Sequence, residues 1–209
     1  SSDLEREFYR RADAEATRTA YVAYIERILT LGGQSNGAAK ARAIMALETQ
    51  IAELHWPIAE RRQRERVYNL KTRAELRAIA PNFPWDAGLE AGNMGQATEV
   101  VVRELSAMAP LANLFMATPV ETWKDYLTFN LISGSADVLP SAIDDANFDF
   151  YGRTLNGQPQ QRERWKRAVD QVNNAMGEAL GQLYVARHFP PEAKAQMLDL
   201  VENLRRAYA

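Results

Sequence analysis

ETQIAELHWPIAERRQRERVYN, Glu48 to Asn69, joins the end of an amphipathic helix to a proline break and a dense run of arginines. Ile44, Leu47, Ile51 and Leu54 recur at helical spacing, which gives a helix over 38–55 one apolar face. Pro57 interrupts the chain there, because proline lacks the N–H that a helix interior needs. A short helix over 58–67 then carries Arg61, Arg62, Arg64 and Arg66, and a Tyr68-Asn69 turn closes the stretch.

The same helical spacing extends in both directions. Upstream, Tyr21, Ile25, Ile28 and Leu29 predict one helix over 4–31, stopped by Gly32-Gly33. Downstream, Thr72 and Glu75 form a capping box that starts a helix reaching about Ala80. Pro81, Pro84, Gly88, Gly92 and Gly95 predict an irregular stretch, and Val100 to Val102 a brief extended segment. Helix resumes near Leu105, and Thr118-Pro119-Val120-Glu121 predicts another helix start, with Trp123, Tyr126, Leu127 and Leu131 on that helix.

A further helix is predicted over 143–153. The longest late helix runs over 161–188, with Trp165, Val169, Val172, Met176, Leu180 and Leu183 as its buried face. Gly177 and Gly181 lie one turn apart on it, a spacing that admits a second helix at close range. Pro190-Pro191-Glu192 opens a final helix ending near Tyr208. The fold class is therefore all-α, with 1–209 read as a single helical domain or fragment.

Composition narrows the function. The chain has 209 residues, 46% of them hydrophobic and 25% charged, ordinary values for a globular protein. A net charge of −2 predicts no strong attraction to nucleic acid or anionic membrane. With no cysteine there is neither a disulfide nor a thiolate metal site. No apolar run approaches the roughly 20 residues needed to span a bilayer.

Catalytic motifs are sparse. The two histidines, His55 and His188, belong to no H-E-x-x-H and have no second histidine nearby in sequence, so both read as isolated structural or surface residues. His55 is expected to meet helix-end carbonyls and Trp56 to pack in the core. Asp144, Asp145, Asn147 and Asp149 imitate a calcium loop. Counted from Asp145, however, Phe150 stands where the turn needs glycine and Asn156 where a bidentate glutamate is needed. Helix capping and solvation explain these acids better. The arginine run is interleaved with Glu60 and Glu65 and reads as a salt-bridged face; one or two arginines are placed to pin the Tyr68-Asn69 turn or to meet a neighbouring domain.

Taken in order, several segments resemble the neprilysin-like zinc endopeptidase family: TAYVAYIERILTLGG (19–33), AIMALETQIAELHWP (43–57), RRQRERVYNLKTRAELRAIAP (61–81), FPW (83–85), NFDFYGRTLNG (147–157) and RWKRAVDQVNNAMGEALGQLYVARHFPPEAK (164–194). The resemblance implies the helical, largely non-catalytic portion of such an enzyme, which faces the catalytic domain across a chamber that admits peptides and restricts their size. It places zinc, H-E-x-x-H and the Asn-Ala substrate motif in a catalytic domain of the same polypeptide, leaving no catalytic residue, metal ligand or cofactor in this chain. Arg61, Arg62, Tyr68 and Asn69 are then candidates for structural or interdomain contacts. Gln63 stands where the family commonly has Asp, and Arg103 follows the valine run where it commonly has Pro. The resemblance further implies peptide substrates for the parent enzyme and an extracytoplasmic location, and the lack of cysteine suggests a bacterial-type relative. The alternative is a stand-alone helical protein-interaction module without peptidase activity, using the arginine run and the faces around Trp56 or Trp123.

Overall fold

The computed structural model describes residues 6–208. By internal contacts the chain divides into two compact units, Ser1–Gln160 and Gln161–Ala209. Helix dominates both, in agreement with an all-α class.

The first unit begins with α1 (Arg6–Arg10), a single 3-10 turn (Ala12–Ala14) and α2 (Glu15–Leu31). The sequence suggests one helix here, but Arg11 is extended at φ −73° and ψ 138°. Arg18 supplies the reason, since its guanidinium donates to the carbonyls of Phe8 (2.9 Å) and Arg11 (2.7 Å) and so satisfies groups at the end of α1. Gly32 ends α2, and Gly33 takes the left-handed φ of +77° that suits a residue without Cβ.

Next come α3 (Gly37–Leu54), the single-turn helices α4 (Ile58–Arg61) and α5 (Arg64–Val67), strand β1 (Asn69–Thr72) and α6 (Arg73–Ile79). The arginine run is thus two turns rather than one helix, divided at Gln63, which is extended at ψ 102°. The chain continues through α7 (Trp85–Ala91), β2 (Glu99–Val102), α8 (Leu105–Ala117), α9 (Val120–Gly134) and α10 (Ser141–Asn147). Helix α7 forms inside the stretch expected to be irregular. The valine run is extended as expected, and pairs antiparallel with β1 in the register Asn69↔Val102 to Thr72↔Glu99. Tyr68-Asn69 is accordingly the entrance to a strand and not a closing turn. Thr118 caps backwards: its hydroxyl donates to Leu114 O (2.7 Å) at the end of α8 and makes no cap for α9.

Beyond α10 the backbone widens into a π-helix over Phe148–Leu155. Two side chains stabilise the wider turn by donating to carbonyls five residues back, Thr154 Oγ1 to Asp149 O (2.9 Å) and Asn156 Nδ2 to Tyr151 O (2.7 Å). At Gly152 a Cβ would collide with the Phe148 ring.

The core of this unit joins α2, α3, α9, α10 and the π-helix. Ile25, Ile28, Leu29, Ile44 and Phe129 are fully buried. An aromatic cluster ties the elements together: Phe150 stacks on Tyr24 at 5.0 Å, and Phe129 meets Tyr21 and Tyr24 edge-on at 6.1 and 5.8 Å. Glu48 is completely buried on the core face of α3, where its carboxylate accepts from the hydroxyls of Tyr9 (2.9 Å) and Tyr21 (3.1 Å). A buried carboxylate without such donors would be strongly unfavourable. On α9 the core face is Tyr126 and Phe129, whereas Leu127 and Leu131 point outward.

The second unit consists of α11 (Arg164–His188), kinked at Met176, and α12 (Pro191–Tyr208). The apolar stripe of α11 is not buried as its spacing suggests. Trp165 is 63% exposed and Leu183 62%, and neither helix has a buried residue. At Gly177 and Gly181 an added Cβ would meet nothing within 4 Å, so no described helix approaches there. Residues three and four apart create a stripe, but the stripe does not specify what covers it.

Replacing Phe129 by Ala should destabilise the first unit by about 3–5 kcal/mol in denaturant unfolding, because a fully buried ring leaves a cavity among the other aromatics. The Thr72–Glu75 capping box forms as expected. Hydrogen bonds from the Thr72 backbone N–H and hydroxyl, then from Lys71, hold the Glu75 carboxyl below its ordinary range. A depressed carboxyl stabilises the folded state above its unfolded pKa, and that contribution is lost as pH falls through the folded value. Side-chain NMR titration should therefore place the Glu75 midpoint below the 4.5 of an unperturbed glutamate, and a midpoint at or above 4.5 would contradict the cap.

Candidate functional site

The proline break after α3 sets up a connected polar site in the first unit. His55 leaves the helix in an extended conformation, ψ 150°, and Trp56 and Pro57 follow it. Their partner lies at the joint between β2 and α8. One carboxylate, Glu104, accepts from the Trp56 backbone N–H at 2.6 Å, meets His55 Nδ1 at 3.1 Å and pairs with Arg61 Nε at 3.2 Å. The Glu104 side chain is only 12% exposed, so these donors replace water. His55 therefore meets a carboxylate and not the helix-end carbonyls, and Trp56 is half-buried rather than a core residue.

A second layer holds the indole. Trp56 Nε1 donates to Ser106 Oγ at 2.8 Å, and the Arg66 guanidinium lies 4.8 Å above the ring. Arg66 also pairs with Glu60 at 2.9 Å. Asn69 links this layer to the sheet, with Nδ2 donating to Arg66 O (2.7 Å) and Val102 O (3.0 Å).

The four residues singled out from sequence thus separate into two groups. Arg61 and Asn69 belong to this bonded site. Arg62 is exposed, and Tyr68 is 65% exposed. Glu104 and Ser106 escaped the sequence reading. The only local signal for Glu104 was a lone acid following the valine run in VVVRELS.

Next to the carboxylate lies an aromatic cavity of about 360 Å³, walled by residues of α3, α7, α8 and α9 and by the loop before α7. Its rings form a chain: Trp85 to Phe83 at 4.8 Å, Phe83 to Phe115 at 5.3 Å, Phe115 to Trp123 at 5.3 Å, Trp123 to Tyr126 at 5.8 Å. His55 lines it as well.

The acidic run over 144–149 is structural. Asp144 is buried, Asn147 Nδ2 donates to the Tyr24 hydroxyl at 2.8 Å, and Asp149 pairs with Arg27 at 3.0 Å. Burial, not solvation, describes Asp144. His188 packs against the Tyr184 ring at 5.0 Å. Among the described residues no three His, Cys, Asp or Glu side chains are grouped to hold a metal. No described helix is long and apolar enough to cross a membrane.

The family model described as Peptidase family M13, in its N-terminal part, matches residues 2–209. The chain belongs to peptidase family M13. Within that family it is the neprilysin-like N-terminal helical portion. It is 28% identical to Neprilysin-2 of Drosophila melanogaster, over 98% of this chain and 29% of the relative. It is 27% identical to human Endothelin-converting enzyme-like 1, over 92% of this chain and 25% of the relative. Among solved structures, the open state of the Mycobacterium tuberculosis zinc metalloprotease Zmp1 superposes with a TM-score of 0.87 at 39% identity, over 99% of this chain and 33% of that one. PepO of Lactobacillus rhamnosis, at 19% identity and a TM-score of 0.73, shares the fold. This M13 chain spans about a third or less of the proteins it matches.

Replacing Glu104 by Ala should accelerate hydrogen exchange at the Trp56 amide and lower stability by about 1–3 kcal/mol, since three donors lose their acceptor together. Glu104→Gln, which keeps an oxygen for the Trp56 N–H, should lose less in both measurements.

Proposed function

We propose that this chain is the non-catalytic wall of a zinc metalloendopeptidase of family M13, enclosing the chamber in which peptides are cut and restricting their size. The observation that carries the proposal is the uncovered apolar surface of the second unit. Along α11, Trp165, Val169, Val172, Met176 and Leu183 are all roughly half exposed or more, and Met197, Leu198, Val201 and Leu204 repeat this on α12. Scattered exposed apolar residues are ordinary, but continuous stripes along two long helices need a cover. In this reading the rest of an M13 polypeptide supplies it. The alternative of a stand-alone interaction module draws no support from relatives matched across nearly the whole chain.

Division of labour follows from the residues present. They do not fit a catalytic metal, because no three described His, Cys, Asp or Glu side chains are grouped to hold one, and His55 is engaged with Glu104. In such enzymes zinc supplies an activated water for attack on the peptide carbonyl; here that chemistry is assigned to the catalytic domain of the same polypeptide, with peptides as substrates. The contribution of this portion is steric. Arg62 and Tyr68, exposed at the arginine segment, are assigned to interdomain contact, with Arg61 and Asn69 as the structural support behind them. The greater identity to Zmp1 than to the animal relatives supports a bacterial-type enzyme. An extracytoplasmic location completes the reading.

The purified chain should bind no stoichiometric zinc and hydrolyse no peptide. Chelator-sensitive cleavage with one zinc per chain would overturn the assignment. The wall role is read from substrate size in an enzyme carrying this portion: it should cut a short peptide and spare the same sequence inside a folded protein, and equal cleavage of both would refute it.

A further inference from the structure

The proposed wall role does not draw on the aromatic cavity at His55, which is lined by residues of the first unit alone. Its volume of about 360 Å³ lies at the small end of ligand pockets, a size for one or two fused rings. Phe83, Phe115 and Trp123 present ring faces and edges to it, the surroundings in which another aromatic ring packs well.

The polar atoms of the wall indicate what such a ring would carry. Trp85 Nε1 donates to Ala80 O at 3.0 Å and Trp123 Nε1 to Phe115 O at 3.2 Å, so neither indole N–H is available to a ligand. His55 differs. An ionised carboxylate only accepts, so contact with Glu104 places a proton on Nδ1. In the neutral ring that tautomer leaves Nε2 as a bare acceptor, and Nε2 has no hydrogen-bond partner among the described residues. Glu104 thus orients the imidazole as well as fixing its tautomer.

We propose that this cavity binds a compact heteroaromatic ligand bearing one N–H or O–H donor, indole being the simplest, with its ring against Phe83, Phe115 and Trp123 and its donor directed to His55 Nε2. An apolar ring without the donor fits the same space but offers Nε2 no hydrogen bond in place of water. A ligand bearing amides has nothing to pair them with in the largely apolar wall.

Ligand-observed NMR titrations of the 209-residue chain with indole, indene and N-acetyltryptophanamide test this directly. Indole should bind saturably and about tenfold more tightly than indene, the ratio expected of one hydrogen bond. N-acetyltryptophanamide, the same ring on a peptide-like backbone, should bind at least about tenfold more weakly than indole. His55→Asn keeps a donor for Glu104 while removing Nε2, and should bring indole and indene to within about twofold of each other. Absence of saturable indole binding, or equal affinity for indole and indene in the unsubstituted chain, overturns the proposal. Binding of N-acetyltryptophanamide as tight as indole overturns the small-molecule assignment in favour of a peptide side chain. Should His55→Asn fail to fold, the indole–indene ratio on the unsubstituted chain still decides.

Discussion

One carboxylate links the two ends of the polar architecture in the first unit. Helix α3 ends because Pro57 offers no N–H, and the segment after it would otherwise have few partners. Glu104 draws that segment onto the β2–α8 joint by taking a backbone N–H, an imidazole and a guanidinium at once. The arrangement is mutually dependent, because the largely buried carboxylate relies on these donors as much as they rely on it. With Trp56 fixed, Arg66 has a ring to cover and its carbonyl is placed for Asn69. Asn69 then reaches Val102, next to Arg103 and Glu104 in the chain. The loop of contacts closes on itself, and a two-stranded sheet too small to be stable alone is held inside it.

The two units differ in what they complete for themselves. In the first, apolar faces of α2, α3, α9 and α10 meet, and the polar group on the core face of α3, Glu48, finds two tyrosine hydroxyls. Lys40 and Asp125 join α3 to α9 at 2.8 Å as a half-buried pair. In the second, the charged residues pair along their own helix, as in Lys166 with Glu163 at 2.8 Å, while the apolar residues remain uncovered. Local ion pairs on exposed helix faces contribute only a few tenths of a kcal/mol each. They do not replace a core, so these pairs alone contribute little to the stability of α11 and α12.

Much of the first unit was legible because its signals are local. The stripe of Tyr21, Ile25, Ile28 and Leu29, the stop at Gly32-Gly33, the Pro57 break and the Thr72–Glu75 box each lie within a few residues of the structure they dictate. The departures arise where a distant or unexpected partner decides. Arg11 is extended because Arg18 collects carbonyls from the turn before it. Asn69 joins a strand because the valine run, some thirty residues later, offers an edge. The apolar spacing of α11 has the periodicity of a buried face, and periodicity carries no information about whether a cover is present. Of the candidate site, the arginine run was visible, but Glu104 was not, since nothing in a single sequence links position 104 to positions 55, 56 and 61.

The same geometry narrows what the arginine run can contribute outside the chain. Arg61 is committed to Glu104, and Arg66 to Glu60 and the Trp56 ring. A guanidinium already stacked and paired has few donors left for a partner, and pulling it away would leave a carboxylate or an indole uncovered. Arg62 and Arg64 are both exposed and flank Gln63, where the helix divides. That division has a consequence for direction. A continuous helix would rotate successive arginines by about 100° per residue, spreading them around its surface. Across the break at Gln63, Arg61 and Arg66 reach Glu104 and the Trp56 ring although each side chain is nearly half exposed, while Arg62 and Tyr68 are exposed. Gln63 therefore has on each side one arginine engaged with the first unit, Arg61 before it and Arg66 after it, and one exposed arginine outside those contacts, Arg62 and Arg64.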